Sequence, residues 1–261
     1  MRWDCLLPAF CFCLLTGCAS YSTPGAKADF SELGLTQDAK AALTDQSVQA
    51  LLDKKPLVTF PASIAVVRVQ AADYDSYTYH RYRAQAPTAR GSYTVVTLQD
   101  VEKETDFADL TRLPKVAGIA PIKRLLLDST MNSDLELRRA AAKLHANLLL
   151  YYTFDTEFHT DTRVAPLGLI TLGMFPTEKA SVSCVASAVL MDVNNGYVYC
   201  VADSPASNNQ LANAWTSEDA MDEVRQKTER EAFVGLLGQL KNEWPNVVAT
   251  YDHPVLPSRT P

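Results

Sequence analysis

The sequence predicts an α/β (α+β) fold: a single mixed sheet of about five strands packed by two to three helices, with a long C-terminal helix. Three observations carry this. Residues 62–69 form a largely apolar run rich in β-branched side chains, the pattern of a buried strand. Asn195 and Gly196 lie between two apolar stretches, a strong two-residue hairpin signal. Met221, Val224, Phe233, Leu236, Leu237, Leu240 and Trp244 recur at three-to-four spacing, which marks one face of a helix.

The elements follow in order. Within residues 36–54, Leu43, Val48, Leu51 and Leu52 stand among polar neighbours, which predicts a short amphipathic helix with Thr36 or Asp38 near its cap. Such a helix either packs on the domain, the expectation adopted here, or swings as an arm toward a partner. Phe60 and Pro61 bound the first strand. Residues 92–98 read as a second strand, with Tyr93, Val95 and Val96 against Thr94 and Thr97. Thr97 or Asp100 can cap a helix running to about Leu113, where Pro114 stops it. Residues 116–121 are short and apolar, a pattern that fits a strand or a connection equally. Ser133 or Asp134 caps a helix carrying Leu135, Leu137, Ala141, Leu144 and His145 on its apolar side, ended by Asn147. Residues 148–158 then read as a long central strand. The hairpin pairs 182–193 with 197–202. Thr216, Ser217 and Glu218 open the last helix, and Pro245 is expected to stop it. Its polar residues 222–231 read as a solvated face.

The N-terminus supplies an address. Arg2 precedes a largely apolar stretch at residues 5–16, too short to span a bilayer, and small Gly17 precedes Cys18. The tetrapeptide Leu15, Thr16, Gly17, Cys18 resembles the bacterial lipobox. The resemblance implies cleavage after Gly17, a thioether from Cys18 to diacylglycerol, and acylation of the new amine. Several acyl chains together anchor a protein firmly, each buried methylene contributing about 0.8 kcal/mol. Ala19 stands where an Asp would resemble the inner-membrane retention signal, so the expected location is the periplasmic face of the outer membrane. The divisions expected are therefore 1–17 signal peptide, 18–61 tether and short helix, 62–244 envelope domain, and 245–261 loosely ordered tail.

With 47% hydrophobic and 9% aromatic residues, the 261-residue chain can bury a proper core. Its net charge of −6 argues against nucleic acid or an anionic lipid surface as a partner. Beyond Cys18, Cys184 and Cys200 alone remain. Pairing Asn194 with Tyr197 in the hairpin sets Cys200 opposite Met191, far from Cys184 and on the other face. That predicts two free, buried thiols.

Three clusters are candidates for contact or chemistry. Tyr77, Tyr79, Arg81 and Tyr82, with Tyr74, His80 and Arg83 nearby, interleave aromatics and cations that can stack on sugars or clamp a carboxylate; the alternative is an exposed loop or edge strand. Leu167, Leu169, Ile170, Leu172, Met174 and Phe175 make the connection between two strands apolar, fit for a partner or a membrane, or else for extra strand length. On an alternating strand Asp155, Glu157, His159 and Asp161 share one face, the best metal or acid/base candidate; a solvated strand face also explains it. The chain contains neither a nucleophile elbow nor a phosphate loop, and no cofactor is expected beyond the lipid on Cys18.

The order of elements resembles the small α/β domain of bacterial envelope lipoproteins: the curli-secretion lipoprotein, the outer-membrane activator of a penicillin-binding protein, and the amino-terminal domain of the Tol translocation protein. The similar segments are 64–69, 93–101, 140–154 and above all 188–199, with its Asp-containing strand, Gly turn and return strand. The chain departs from that group between the first two strands, where a Pro- and Tyr-containing segment replaces a helix. The function expected is that of a non-enzymatic interaction or assembly factor of the cell envelope, binding an envelope protein or itself through its sheet edge or the apolar 167–175 loop. The alternative is an envelope hydrolase or metal-binding protein using residues 155–161.

Overall fold

The computed structural model describes residues 27–28, 44–75, 78, 90–162, 178–211 and 218–252. In chain order they form α1 (Asp45–Leu52), β1 (Ala62–Ala71), β2 (Arg90–Gly91), β3 (Tyr93–Val96), α2 (Glu104–Thr111), β4 (Val116–Pro121), a 3-10 turn (Arg124–Leu126), β5 (Thr130–Met131), α3 (Asp134–Lys143), β6 (Leu148–Thr162), β7 (Glu178–Asp192), β8 (Val198–Leu211) and α4 (Glu218–Tyr251). The strands make one mixed sheet in the order β5-β2-β3-β1-β6-β7-β8, with β4 also on β1. The α/β class and the long C-terminal helix are as the sequence predicts. The sheet is larger than expected, because β4 is a strand parallel to β1 and two-residue β2 and β5 extend the far edge.

The sheet has a covered face on each side. Even-numbered residues of β6 and β7, among them Leu150, Tyr152, Phe154, Ala186 and Leu190, pack against Phe233, Leu236, Leu237 and Leu240 of α4. Odd-numbered Leu149, Tyr151, Val189 and Met191 pack against Leu137, Ala140 and Ala141 of α3. Phe233 stands at the centre of the first layer, its ring 5.0 Å from that of Tyr152 and 6.0 Å from that of Phe154. Ser133 opens α3 through a reciprocal capping box with Glu136, as its sequence signature predicts. The helix ends before Asn147, with the chain turning at His145 in a left-handed conformation, φ 56.

The β7–β8 hairpin is far longer than its apolar core suggests, continuing through Ser204, Pro205 and Asn208 to Leu211. Pro205 is tolerated because β8 is the edge strand. The turn holds Gly196 at φ 70, where a side chain would be strained. The expected register is corrected: the turn closes with the Asp192 N–H on the Tyr197 carbonyl rather than with Asn194 opposite Tyr197, Met191 lies opposite Val198, and after a bulge Cys200 lies opposite Leu190 and not Met191. Both cysteines then face the α4 layer, but Cys184 pairs with Ala206, six residues along the strand. That is about 20 Å from Cys200, and both thiols are free. Burial pushes the Cys184 thiol up to about 12 and that of Cys200 to about 11.

Two further expectations are overturned. Pro245 does not stop the last helix, which runs through it to Tyr251. Contacts on both sides of Pro245 offset the lost hydrogen bond. Trp244 donates its indole N–H to the Pro114 carbonyl at 2.7 Å, Val247 is buried, and Tyr251 packs edge-on to Tyr199 at 4.9 Å. At 34 residues, α4 is about 50 Å long, and 15-residue β7 matches it. The second correction concerns α1. None of its residues is buried, and Val48, Leu51 and Leu52 are 51%, 37% and 72% exposed. Thr44 and Ser47 cap it, so its start is set by a local capping box rather than by packing. Its root is firm: the Leu57 amide donates to Asp192 and the Val58 amide to the Tyr199 hydroxyl.

Two outcomes follow. Phe233→Ala should lower unfolding free energy by about 3–5 kcal/mol in urea titration. In the mature protein denatured without reductant, Cys184 and Cys200 should both react with a thiol reagent; loss of both would establish a disulfide.

Candidate functional site

The strongest concentration of polar chemistry lies inside the molecule, between the sheet and the N-terminal half of α4. It begins with Arg68, the one charged residue of β1, whose alternation drives it into the interior with 2% of its surface exposed. Its Nη1 reaches Asp100 Oδ1 at 2.8 Å, its Nη2 reaches the Tyr74 hydroxyl at 3.2 Å, and its guanidinium lies over the Phe154 ring at 4.6 Å. Asp100 uses its other oxygen for Arg225 Nη2, at 2.7 Å. From α4, Asp222, Arg225 and Glu229 stand on one face at three- and four-residue spacing. Arg225 Nε donates to Asp222 at 2.8 Å and its Nη1 to Glu229 at 2.5 Å. Glu102 accepts from Tyr152 at 2.6 Å and Glu229 from Thr156 at 2.9 Å. Thr78 donates to Asp222. Among the described residues, Arg68 Nε and Glu102 Oε2 lack a hydrogen-bond partner. A cavity of about 20 Å³, room for one water, is lined by both residues together with Tyr152, Phe107 and Ile122.

These groups do not titrate alike. Burial alone would raise Asp100, but Arg68 and Arg225 outweigh it and hold the carboxyl below its ordinary value. For Glu229 and Glu102 burial dominates and pushes both carboxyls up despite the same guanidinium groups. Against the desolvation that burial imposes, the surrounding oxygens keep both arginines charged. Buried between sheet and helix, the cluster can clamp α4 to β1 and the 97–103 connection, and exchange protons.

The sequence reading missed this cluster and took residues 222–231 for a solvated face. A signal existed. Positions 222, 225, 229, 232 and 236 continue the stripe that carries Phe233 and Leu240, so Arg225 and Glu229 interrupt an apolar face rather than lie opposite it. Arg68, within a buried strand, was the partner to look for. Tyr74 and Thr78, from the segment read as an exposed loop, are buried and belong to the cluster.

The sites predicted from sequence fare differently. Glu157 and His159 share the face of β6 away from α4 and meet at 3.1 Å, both largely exposed. Asp161 lies two residues further on, opposite Lys179, and Asp155 pairs with Lys27 at 3.5 Å. No group of three metal-ligating side chains occurs among the described residues. The lipobox residues 15–18, Tyr77, Tyr79, Arg81 and Tyr82, and the apolar positions 167–175 lie outside the described residues, as does the tail from 253.

One arrangement was invisible in the sequence. β1 and β6 pair in parallel only from Ile64 with Leu148 to Val67 with Tyr151 and then part. Gln70 fills the gap: its side-chain amide donates to the Phe154 carbonyl at 3.0 Å and accepts from the Phe154 N–H at 2.8 Å. Lys27 bridges to Gln70 in antiparallel sense, and the Ala28 N–H donates to Thr153 Oγ1 at 3.1 Å. Ala28 is buried. The segment expected to be a free tether is therefore docked on the sheet at these two residues.

Neither a protein-family model nor a curated protein matches the sequence. Among solved structures, lipoprotein GNA1162 from Neisseria meningitidis aligns at 16% identity and TM-score 0.28, over 73% of this chain and 99% of its own. The hypothetical protein CT253 from Chlamydia trachomatis aligns at 12% identity and TM-score 0.25, over 68% of this chain and 96% of its own. Both alignments are too loose to transfer fold or chemistry. No helix among the described residues is long and apolar enough to cross a membrane.

The cluster predicts opposite pH signatures for two isosteric substitutions. The stability from Asp100, whose carboxyl is depressed, is present above the unfolded carboxylate range and lost as pH falls through its folded value. Asp100→Asn should therefore cost most at neutral pH and least in acid. Glu229 is raised, so its favourable contribution is complete below the unfolded value and is lost as pH rises through the folded one. Glu229→Gln should gain stability relative to the parent as pH rises above the ordinary carboxylate range. Urea midpoints of both variants across pH 4–8 check the two signs. Arg225→Met, which leaves buried carboxylates unpaired, should cost about 3–5 kcal/mol.

Proposed function

We propose that this chain is a lipid-anchored lipoprotein of the bacterial outer membrane, facing the periplasm, that acts as a non-enzymatic interaction or assembly factor of the envelope. The anchor part of the reading rests on Leu15, Thr16, Gly17 and Cys18. The interaction part is carried by α1: a capped helix on a fixed root that leaves Val48, Leu51 and Leu52 uncovered, with Leu57 beside its root 55% exposed. Apolar side chains at this spacing on an exposed helix suit a groove on another protein. The group of curli-secretion, penicillin-binding-protein-activator and Tol domains is the family we assign by resemblance. The domain spans 62–244 in that assignment, with α4 carrying its last helix beyond. The apolar residues 167–175 and the aromatic cluster at 77–82 are secondary contact candidates.

Two variants test it. Cys18→Ser should move the folded protein out of the membrane fraction; full retention there would refute the anchor. Val48→Asp with Leu52→Asp should leave fold and fractionation unchanged and reduce recovery of crosslinked envelope proteins from native membranes by about tenfold, the equivalent of about 1.4 kcal/mol. Identical recovery with and without the two charges would remove α1 from the reading.

A further inference from the structure

We propose that the domain stands on the membrane with one particular end down: the end at which β6 and β7 leave the sheet, at Thr162 and Glu178, faces the lipid surface. The inference rests on lipidation of Cys18 as proposed above and on the direction in which the docked segment enters the fold. Lys27 bridges antiparallel to β1, and β1 is parallel to β6. The side-chain contacts agree. Lys27 meets Asp155, and Ala28, one residue later, meets Thr153. Moving backward along the chain from Ala28 thus climbs β6 toward Thr162.

Chain length turns that direction into a position. Nine residues, Cys18 to Ala26, separate the lipid from the dock. Fully extended they reach about 30 Å. The strand from Asp155 to Thr162 advances about 23 Å, so the anchor can pass the last residue of β6 by about 7 Å. The opposite end is equally distant, since Asp155 is also seven residues from Leu148. To go there, however, the chain must first reverse, and a turn takes about four residues. The five left reach about 17 Å, short of the 23 Å required. Fully extended, the tether therefore passes Thr162 and falls short of Leu148, at the end that holds the Asn195 turn and the root of α1.

The test uses the full-length lipidated protein reconstituted in vesicles of phosphatidylethanolamine and phosphatidylglycerol that carry a headgroup nitroxide lipid. A fluorophore is attached to Glu157→Cys in one preparation and to Lys55→Cys in another; both positions are exposed, and the parent protein, with Cys184 buried and Cys200 half-buried, gives the labelling blank. Quenching at position 157 should exceed that at position 55 by at least about twofold, because the two ends of the sheet lie tens of ångströms apart, about 3.4 Å per residue. Inserting a flexible stretch of about ten residues between Ser22 and Thr23 should erase the difference. Equal quenching in the parent, stronger quenching at position 55, or a difference that survives the insertion would each overturn the orientation while leaving the anchor intact. Protein that stays in solution without diacylglycerol by mass would instead overturn the anchor, and the orientation with it.

Discussion

Two guanidinium groups sealed between a sheet and a helix impose a condition on everything around them. Each has lost its water, and the Coulombic return from nearby carboxylates offsets that loss only if the geometry is held closely. Asp100 meets the condition by giving one oxygen to Arg68 and the other to Arg225, which ties a strand, a connection and a helix at a single carboxylate. Glu102 and Glu229 then share positive charge already committed, and burial raises both. Such an arrangement specifies one packing of α4 on the sheet more sharply than apolar contacts, which tolerate a shift by one turn. Phe233 and Leu236 supply much of the burial. The ion cluster fixes their register.

Much of the fold was legible because its periodicities are clean. The strand at 62–69, the capping box at Ser133 and the Asn-Gly turn all express local rules that the rest of the chain does not oppose. Where the reading failed, a distant contact outweighed a local preference. Pro245 is a helix breaker in isolation, but Trp244 and Tyr251 are held on either side of it. The hairpin closes with the Asp192 N–H on the Tyr197 carbonyl, two residues short of an Asn194–Tyr197 pairing, and a bulge after Leu190 then shifts the ladder by one; no sequence rule places either. Arg225 and Glu229 looked solvated because charge is usually outside; the opposing charges that bring them in include Asp100 and Arg68, each more than 100 positions away. Of the candidate contact sites, the stretch from Asp155 to Asp161 lies among the described residues, and in it Glu157 and His159 form an exposed pair.

The molecule also has a polarity that no single element shows. At one end lie the Asn195 turn, the latch from Leu57 to Asp192, and the uncovered helix α1. At the other, β6, β7 and β8 run on beyond the last residue of β1, with the first turns of α4 behind them. Helix α4 spans the whole distance and is bound at both ends, by the buried arginine at one and by Tyr251 on Tyr197 and Tyr199 at the other. A load applied at either end is thus carried by a continuous strut.

Gln70 has a consequence for solubility. Where two strands of a sheet part, each exposes peptide groups along an internal edge, the kind of template on which a foreign strand can grow. Here the side-chain amide copies the donor and acceptor of a peptide and satisfies both groups of Phe154. Lys27 and Ala28 occupy what is left of the slot, and the charge on Lys27 is set on Asp155 at its mouth. At Phe154, where the strands part, one glutamine and two residues of the N-terminal chain take the place a foreign strand would need.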